Sequence, residues 1–182
     1  MTWNWLWVLF LVPVTACGIY DFLSMRVPNR LTVPLIFIGL AYRAWAGDFW
    51  GGLSGALVWF IAGAVLVSTG GMGGGDVKLM AAIGAWAGVY GGLLVFAAAS
   101  LIGAAWAAAK LARLGLLKRK ILYLLYWGGS IFTGVRQPLL VKMPEEGVPQ
   151  EAIPFAACLA AGVWAATLAA WYVRHYSGIV RW

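Results

Sequence analysis

The sequence predicts an all-α polytopic membrane protein, a bundle of about six transmembrane helices forming one domain over residues 1–182. Two observations predict this class. Hydrophobic residues make up 63% of the chain and charged residues only 10%, whereas a soluble domain averages about 25% charged residues. In addition, short polar stretches separate apolar runs that approach the length of a spanning helix, which needs about 20 residues.

The polar stretches divide the chain into six predicted spans. Their approximate limits are residues 3–22, 31–46, 51–69, 76–87, 91–111 and 153–173. The fourth and fifth are separated because one helix over 76–109 would run about 51 Å, well beyond the roughly 30 Å hydrocarbon core. The break is expected in "AGVYGG" at 87–92. The run 121–135 is too short to span, so it is predicted to lie in the interface or to re-enter from the cytoplasmic side.

The distribution of positive charge predicts the orientation. With the N-terminus outside, only Arg43, Arg174 and Arg181 of the 13 Lys and Arg residues fall on the outer side. The net charge of +7 is thus explained by positive inner loops, and nucleic acid is not an expected partner. Several of the 12 Trp residues, Trp86 among them, fall near predicted helix ends and are interpreted as an interfacial belt.

Cysteine and histidine give no sign of a metal site or cofactor. Cys17 and Cys158 lie in apolar runs without a CxxC pair, so they are interpreted as small buried side chains. His175 is the only histidine and is predicted at the outer end of the last span, away from other candidate ligands.

Two acidic residues stand at the borders of apolar runs. Asp21 ends the first span and Asp76 opens the fourth, so the predicted topology places both at the cytoplasmic face. Ionisable groups in a membrane span are costly and usually face the bundle interior, where they carry function. Two carboxyl groups that lie close together share a proton, and the pair can act as base and acid on a peptide bond without a metal. Asp48 and the three Glu residues fall in predicted loops, where solvation explains them.

A glycine-rich stretch leads into Asp76. Because glycine permits positive φ and close approach of another chain, Gly73 and Gly75 are expected to leave room for an extended substrate. A flexible hairpin between two spans is the alternative. Lys78 is expected either to orient the substrate or to anchor the inner face. Pro28 and Asn29 are expected to set the turn after the first span.

Three stretches resemble one family. Gly73-Gly74-Gly75-Asp76 matches the G-x-G-D motif of intramembrane aspartic peptidases, and Val77-Lys78-Leu79 resembles the x-K-L continuation in type IV prepilin peptidases. The stretch "DFLSMRVPN" at 21–29 resembles that family's first motif, an Asp followed by Ile/Val-Pro-Asn. Ala152-Ile153-Pro154-Phe155 resembles the Ile-Pro-Phe that opens the family's last helix.

The resemblance implies an aspartic endopeptidase that removes the short basic leader from type IV pilin, pseudopilin or archaellin precursors at the cytoplasmic face of the cell membrane. Asp21 and Asp76 would be the catalytic pair, with no cofactor, and the partners would be the precursors and the lipid bilayer. The residues expected to bind substrate or shape the site are Gly73, Gly75, Lys78, Pro28 and Asn29. Larger family members also methylate the new N-terminus and carry two CxxC pairs, so this chain resembles the small, peptidase-only form.

Three other functions stay open on the residues alone. The two aspartates could relay protons in a transporter or channel, although no internal repeat is seen. The chain could be a non-catalytic assembly subunit of a pilus or secretion system. It could also be a peptidase of the same mechanism that acts on membrane-protein stubs in general.

Overall fold

The computed structural model describes residues 8–68, 72–113, 115 and 154–176. Within these ranges the secondary structure is helical: α1 (Val8–Ser24), α2 (Asn29–Trp45), α3 (Phe49–Ser68), α4 (Gly74–Arg113) and α5 (Phe155–Tyr176). The chain forms two compact units, residues 1–103 with 154–182, and residues 104–153. The run 121–135 and its predicted placement lie outside the described residues.

Among the described residues, three helices are long and apolar enough to cross a membrane: α3, α4, and α5 over Phe155–Val173. The helix α1 is apolar but shorter, with 17 residues, and residues 3–7 of the predicted first span lie outside the described ranges. The helix α2 also has 17 residues, fewer than the about 20 that a span requires. The predicted all-helical class is confirmed, whereas the number of six spans stays a prediction.

Two helices begin earlier than predicted. The helix α2 starts directly after its N-cap residue Pro28, before the predicted limit at residue 31, and Pro34 lies inside it. The helix α3 starts at Phe49, before the predicted limit at residue 51. Asp48 explains this early start, because its Oδ1 accepts a hydrogen bond from the Gly51 N–H at 3.2 Å, as a helix-capping carboxylate does. Asp48 also forms an ion pair with Arg43.

The helix α4 is interrupted at Gly88. Its backbone there has φ 73° and ψ −174°, a combination that is essentially restricted to glycine. Gly88 lies inside the stretch 87–92 in which the sequence predicts a break. Arg43 of α2 covers the interruption, since its Nε donates a hydrogen bond to the Trp86 carbonyl oxygen at 3.1 Å.

Trp86 lies at the centre of the core. Its ring stacks on Phe10 and on Tyr42, with ring centroids 5.1 and 5.2 Å away. Its Nε1–H donates to the Leu35 carbonyl oxygen at 3.0 Å. Because this donor is satisfied, the indole can be almost fully buried, with 1% of its surface exposed. The prediction that Trp86 belongs to an interfacial belt is therefore wrong.

Glycines allow the helices to approach closely. A Cβ on Gly55 of α3 or on Gly84 of α4 would collide with the backbone of the other residue. On the other side of the unit, a Cβ on Gly18 of α1 would lie 2.6 Å from the Ala160 Cβ of α5. Small residues at such contacts are typical of helix packing in membranes. The result is a unit in which α1 packs against α5 and α2, and α2 packs against α3.

Candidate active site

Asp21 lies in the last turn of α1 and is buried, with 6% of its surface exposed. Its Oδ2 accepts a hydrogen bond from the Ala156 N–H at 3.0 Å, and the adjacent Ala157 N–H also acts on this carboxyl group. Both N–H groups belong to the first turn of α5. N–H groups in the first turn of a helix have no acceptor within their own helix. The Asp21 carboxyl group supplies that acceptor, and the N–H groups supply donors to the buried carboxyl group.

Asp76 lies in the first turn of α4 and is equally buried, with 7% of its surface exposed. Its Oδ2 accepts a hydrogen bond from the Gly73 N–H at 3.1 Å, in the manner of a capping box. Its Oδ1 is buried and has no hydrogen-bond partner within the described ranges. Since a buried polar atom without a partner is costly, this oxygen is the atom best suited to bind a ligand.

The two carboxyl groups interact electrostatically. Asp21 acts on Asp76, and both act on the buried thiol of Cys158. Both cysteines are buried free thiols, as predicted. In the described part of the chain, no group of three or more His, Cys, Asp or Glu residues is placed to hold a metal ion. Two adjacent carboxyl groups of this kind can hold one proton between them and act as an acid–base pair.

The linker between α1 and α2 lies against the start of α4. A Cβ on Gly75 would come within 2.8 Å of the Val27 Cβ. Gly75 is helical, and the glycines with positive φ in the described ranges are Gly47, Gly88 and Gly115. The expectation that positive φ explains Gly75 is therefore wrong, and the close approach of Val27 is the reason for glycine at this position.

The other predicted site residues lie around the same helix start. The Lys78 Nζ donates a hydrogen bond to the Asn29 Oδ1 at 2.8 Å, which joins α4 to the first residue of α2. Pro28 is the N-cap residue of α2. Gly73 precedes α4, and a Cβ there would lie 3.4 Å from the Asp76 Oδ2. The structure thus gathers every predicted site residue in one region, while Gly70 and Gly71 of the glycine stretch lie outside the described residues.

Two of the neighbours of the carboxyl groups cannot be recognised from residue type. Ala156 contributes only a backbone N–H, and Val27 contributes only its bulk, so neither side chain signals a role. The resemblance of Ala152-Ile153-Pro154-Phe155 to the start of the family's last helix was the one available hint. The described helix does begin at Phe155. His175 stacks on Trp171 near the other end of α5, with ring centroids 5.0 Å apart.

Comparison with known proteins gives the family. The model of the type IV leader peptidase family matches residues 7–108, more than half of the chain, and includes both Asp21 and Asp76. The chain belongs to the type IV leader peptidase family. No solved structure shows a significant match.

Curated relatives match a comparable share of the chain. The prepilin leader peptidase/N-methyltransferase of Aeromonas hydrophila is 38% identical over 107 residues, which are 54% of this chain and 35% of that protein. The proteins of the same name from Escherichia coli (strain K12) and Bacillus subtilis (strain 168) are 32% and 35% identical over 108 and 117 residues. The matches cover 54% and 62% of this chain, and 48% and 47% of those proteins. The chain therefore spans less than half the length of these relatives.

Proposed function

We propose that this protein is an aspartic endopeptidase that removes the short basic leader peptide from type IV prepilin-like precursors, with Asp21 and Asp76 as the catalytic pair. The observation that carries the proposal is the pair of buried, interacting carboxyl groups at the end of α1 and the start of α4. Membership of the leader peptidase family and the names of the curated relatives support the substrate class.

The two carboxyl groups divide the chemistry between them. The ionised one takes a proton from a water molecule, whose oxygen attacks the carbonyl carbon of the scissile bond. The protonated one gives its proton to the carbonyl oxygen, so that a neutral tetrahedral intermediate forms. When this intermediate collapses, the first group returns a proton to the leaving nitrogen, the second takes a proton from a hydroxyl group of the intermediate, and the C–N bond breaks to leave a carboxylic acid and an amine. Both carboxyl groups are then back in their starting states. This sequence of steps uses no metal, cofactor or covalent intermediate.

The proposal includes a cytoplasmic active site in a protein of six spans in the inner or cytoplasmic membrane. The support is the distribution of charge: Arg26 lies in the linker after α1, Arg30 lies in the first turn of α2, and Lys78 follows Asp76. Positive residues mark the cytoplasmic side of membrane proteins. The partners in this proposal are the precursor and the lipid bilayer, and nucleic acid has no part in it.

The test is cleavage of a prepilin-like peptide by the purified protein in detergent, read by sequencing the new N-terminus. Asp21→Asn and Asp76→Asn should each abolish cleavage, because each of the two steps needs its own carboxyl group. Asp48→Asn is the matched control and should retain activity, since Asp48 is exposed and pairs with Arg43. Wild-type activity should survive EDTA. Near-normal turnover in either active-site variant, or loss on chelation that zinc restores, would sink the proposal.

A further inference from the structure

We propose that the first turn of α5 holds Asp21 in its ionised form, so that the proton shared by the pair resides on Asp76. Asp21 would then be the base that activates water, and Asp76 the acid that protonates the carbonyl oxygen. The assignment of catalytic roles rests on the proposed peptidase function. The location of the proton does not, because it is a property of the resting protein.

The surroundings of Asp21 favour a negative charge. Its Oδ2 accepts the Ala156 N–H at 3.0 Å, and the Ala157 N–H also acts on it. Hydrogen bonds to an ionised acceptor are roughly twice as strong as those between neutral groups. The positive end of the α5 dipole points at the same carboxyl group, which adds to the effect in a buried site. The extensive packing of α1 against α5 keeps donor and acceptor in place.

The surroundings of Asp76 favour a proton. It also meets a helix start, through the Gly73 N–H at 3.1 Å, so the difference between the two groups lies at the second oxygen. The Asp76 Oδ1 is buried with no hydrogen-bond partner in the described residues. A negative charge shared by such an oxygen would be poorly solvated, and a hydroxyl costs less there. A proton on Oδ1 also makes this atom a donor towards a substrate carbonyl.

The other titratable groups nearby do not reverse this assignment. The thiol of Cys17 lies near Asp21, and the thiol of Cys158 lies near both carboxyl groups. A thiol is only a weak hydrogen-bond donor. The Lys78 ammonium, two residues from Asp76, donates to the Asn29 Oδ1. Within the described residues, Asp21 is the charged group that acts on Asp76, and a second negative charge beside it is disfavoured.

The composition of the chain allows a direct measurement. Asp21, Asp48 and Asp76 are its only aspartates, so labelling the aspartate carboxyl carbons with ¹³C gives three signals in NMR spectra. Single Asp→Asn variants assign them. As the pH is raised from acid, we expect the Asp76 signal to be the last of the three to leave the position of a protonated carboxyl group, after the Asp21 and Asp48 signals. An Asp21 signal that leaves that position last, or Asp21 and Asp76 signals that leave it together, would overturn the inference.

A second experiment tests the role of α5. Replacing Ala156 by its α-hydroxy analogue exchanges the backbone N–H for an ester oxygen and adds no bulk. We expect the Asp21 signal to move towards the protonated position. We also expect kcat to fall about tenfold or more with little change in KM, because one hydrogen bond to a charged group is lost.

The same exchange at Ala165 is the matched control. Ala165 lies mid-helix in α5 and is exposed, so its exchange removes an ordinary helical hydrogen bond and should leave all three aspartate signals unchanged. If the two exchanges have the same effect on the spectrum, α5 does not position Asp21. Because the spectra are recorded without substrate, they give this answer whether or not the protein cleaves prepilins.

Discussion

At the scale of single residues, a missing hydrogen-bond partner sets two buried side-chain oxygens apart. Among the described residues, the Asp76 Oδ1 and the Thr32 Oγ1 are the buried side-chain nitrogen or oxygen atoms without such a partner. Asp76 belongs to the proposed site, where a substrate supplies the partner. Thr32 lies in the second turn of α2 with 0% of its surface exposed, and the proposed function gives it no role. Removing the oxygen without a partner is therefore expected to abolish cleavage at Asp76 and to leave it unchanged at Thr32.

Thr32→Val should leave cleavage unchanged and should maintain or raise the melting temperature. The reason is that Val has nearly the same shape and removes a hydroxyl group that is buried without a partner, a change that is often neutral or stabilising. Thermal unfolding in detergent and the peptide assay measure the two effects. A large drop in kcat would show that the Thr32 hydroxyl gains a partner during the reaction, contrary to the present assignment.

Thr15→Val is the matched control. The Thr15 Oγ1 donates to the Leu11 carbonyl oxygen at 2.7 Å and accepts the Trp164 Nε1–H at 2.9 Å, so it links α1 to α5. The same substitution there should cost about 0.5–1.5 kcal/mol of stability. Equal melting temperatures for the two variants would mean that the bond between α1 and α5 contributes nothing measurable.

The sequence identified the two aspartates because charged side chains are rare in apolar runs and stand out there. It did not identify their hydrogen-bond partners. Ala156 lies 135 positions from Asp21, and a backbone N–H leaves no trace in the residue type. Trp86 shows the same limit, because a Trp at a predicted helix end is compatible with a lipid interface or with a core. Its burial and its partners distinguish the two, among them the Leu35 carbonyl oxygen, 51 positions away.

At the scale of helices, substitutions at Gly74 and Gly75 distinguish two reasons for glycine at the start of α4, backbone flexibility and close packing. A Cβ on Gly74 would meet nothing within 4 Å, whereas one on Gly75 would lie 2.8 Å from the Val27 Cβ. Gly75→Ala should therefore displace the linker after α1 and lower cleavage strongly, since a shift of about 1 Å at a catalytic pair can cost about a hundredfold. Gly74→Ala should be close to wild type in the peptide assay.

A double variant tests the cause of the Gly75→Ala defect. Val27→Gly removes the Cβ that Ala at position 75 would meet, so the double variant should recover much of the lost activity. If Gly74→Ala and Gly75→Ala are equally mild, the glycine stretch is only a hinge. If the double variant is no better than Gly75→Ala alone, contact with Val27 is not the reason for glycine.

Gly88 lies at the interruption of α4, where the backbone conformation is the reason for glycine. Gly88→Ala should lower stability by about 1–3 kcal/mol, because an L side chain rarely adopts the backbone conformation found there. Gly103→Ala is the matched control, since Gly103 is helical and a Cβ there would lie 3.7 Å from the Cys158 Sγ, an ordinary contact. It should be neutral or stabilising by up to about 1 kcal/mol. Thermal unfolding of the two variants compares them, and equal stability would contradict a built-in break.

Helix boundaries could be predicted only where one physical argument dominates. The break in α4 follows from its length against the thickness of a bilayer, and glycines mark the only sensible place. Neither Pro28 nor Pro34 by itself marks the start of α2, because both fix a φ that is compatible with a helix. The structure uses Pro28 as the N-cap residue and keeps Pro34 inside. The start of α3 depended on Asp48, whose capping bond to Gly51 cannot be told from solvation in the sequence.

At the scale of the whole molecule, the distributions of charge and hydropathy predict on which side of the membrane each loop lies. The prediction places the loop after α1 inside, the turn after α2 outside, and both ends of the run 121–135 inside. It follows that the proposed catalytic pair faces the cytoplasm, where a precursor with a basic leader is made. The accessibility of single cysteines from outside the cell measures this arrangement directly.

The background for that experiment lacks Cys17 and Cys158, and the single cysteines replace Ser24, Ala46, Glu146 and Ser177. The first two positions are exposed in the structure, and the last two lie outside the described residues. An impermeant maleimide on intact cells should label positions 46 and 177, because the turn after α2 and the end of α5 lie outside. Positions 24 and 146 should react only after permeabilisation, which is the control that each cysteine is reactive.

Labelling of position 24 on intact cells would put the catalytic pair on the outer face and contradict the proposed function. Labelling of 146 with protection of 177 would instead mean that the run 121–135 spans the membrane. In that case α5 would run in the opposite direction, and its first turn could not meet Asp21 at the cytoplasmic face.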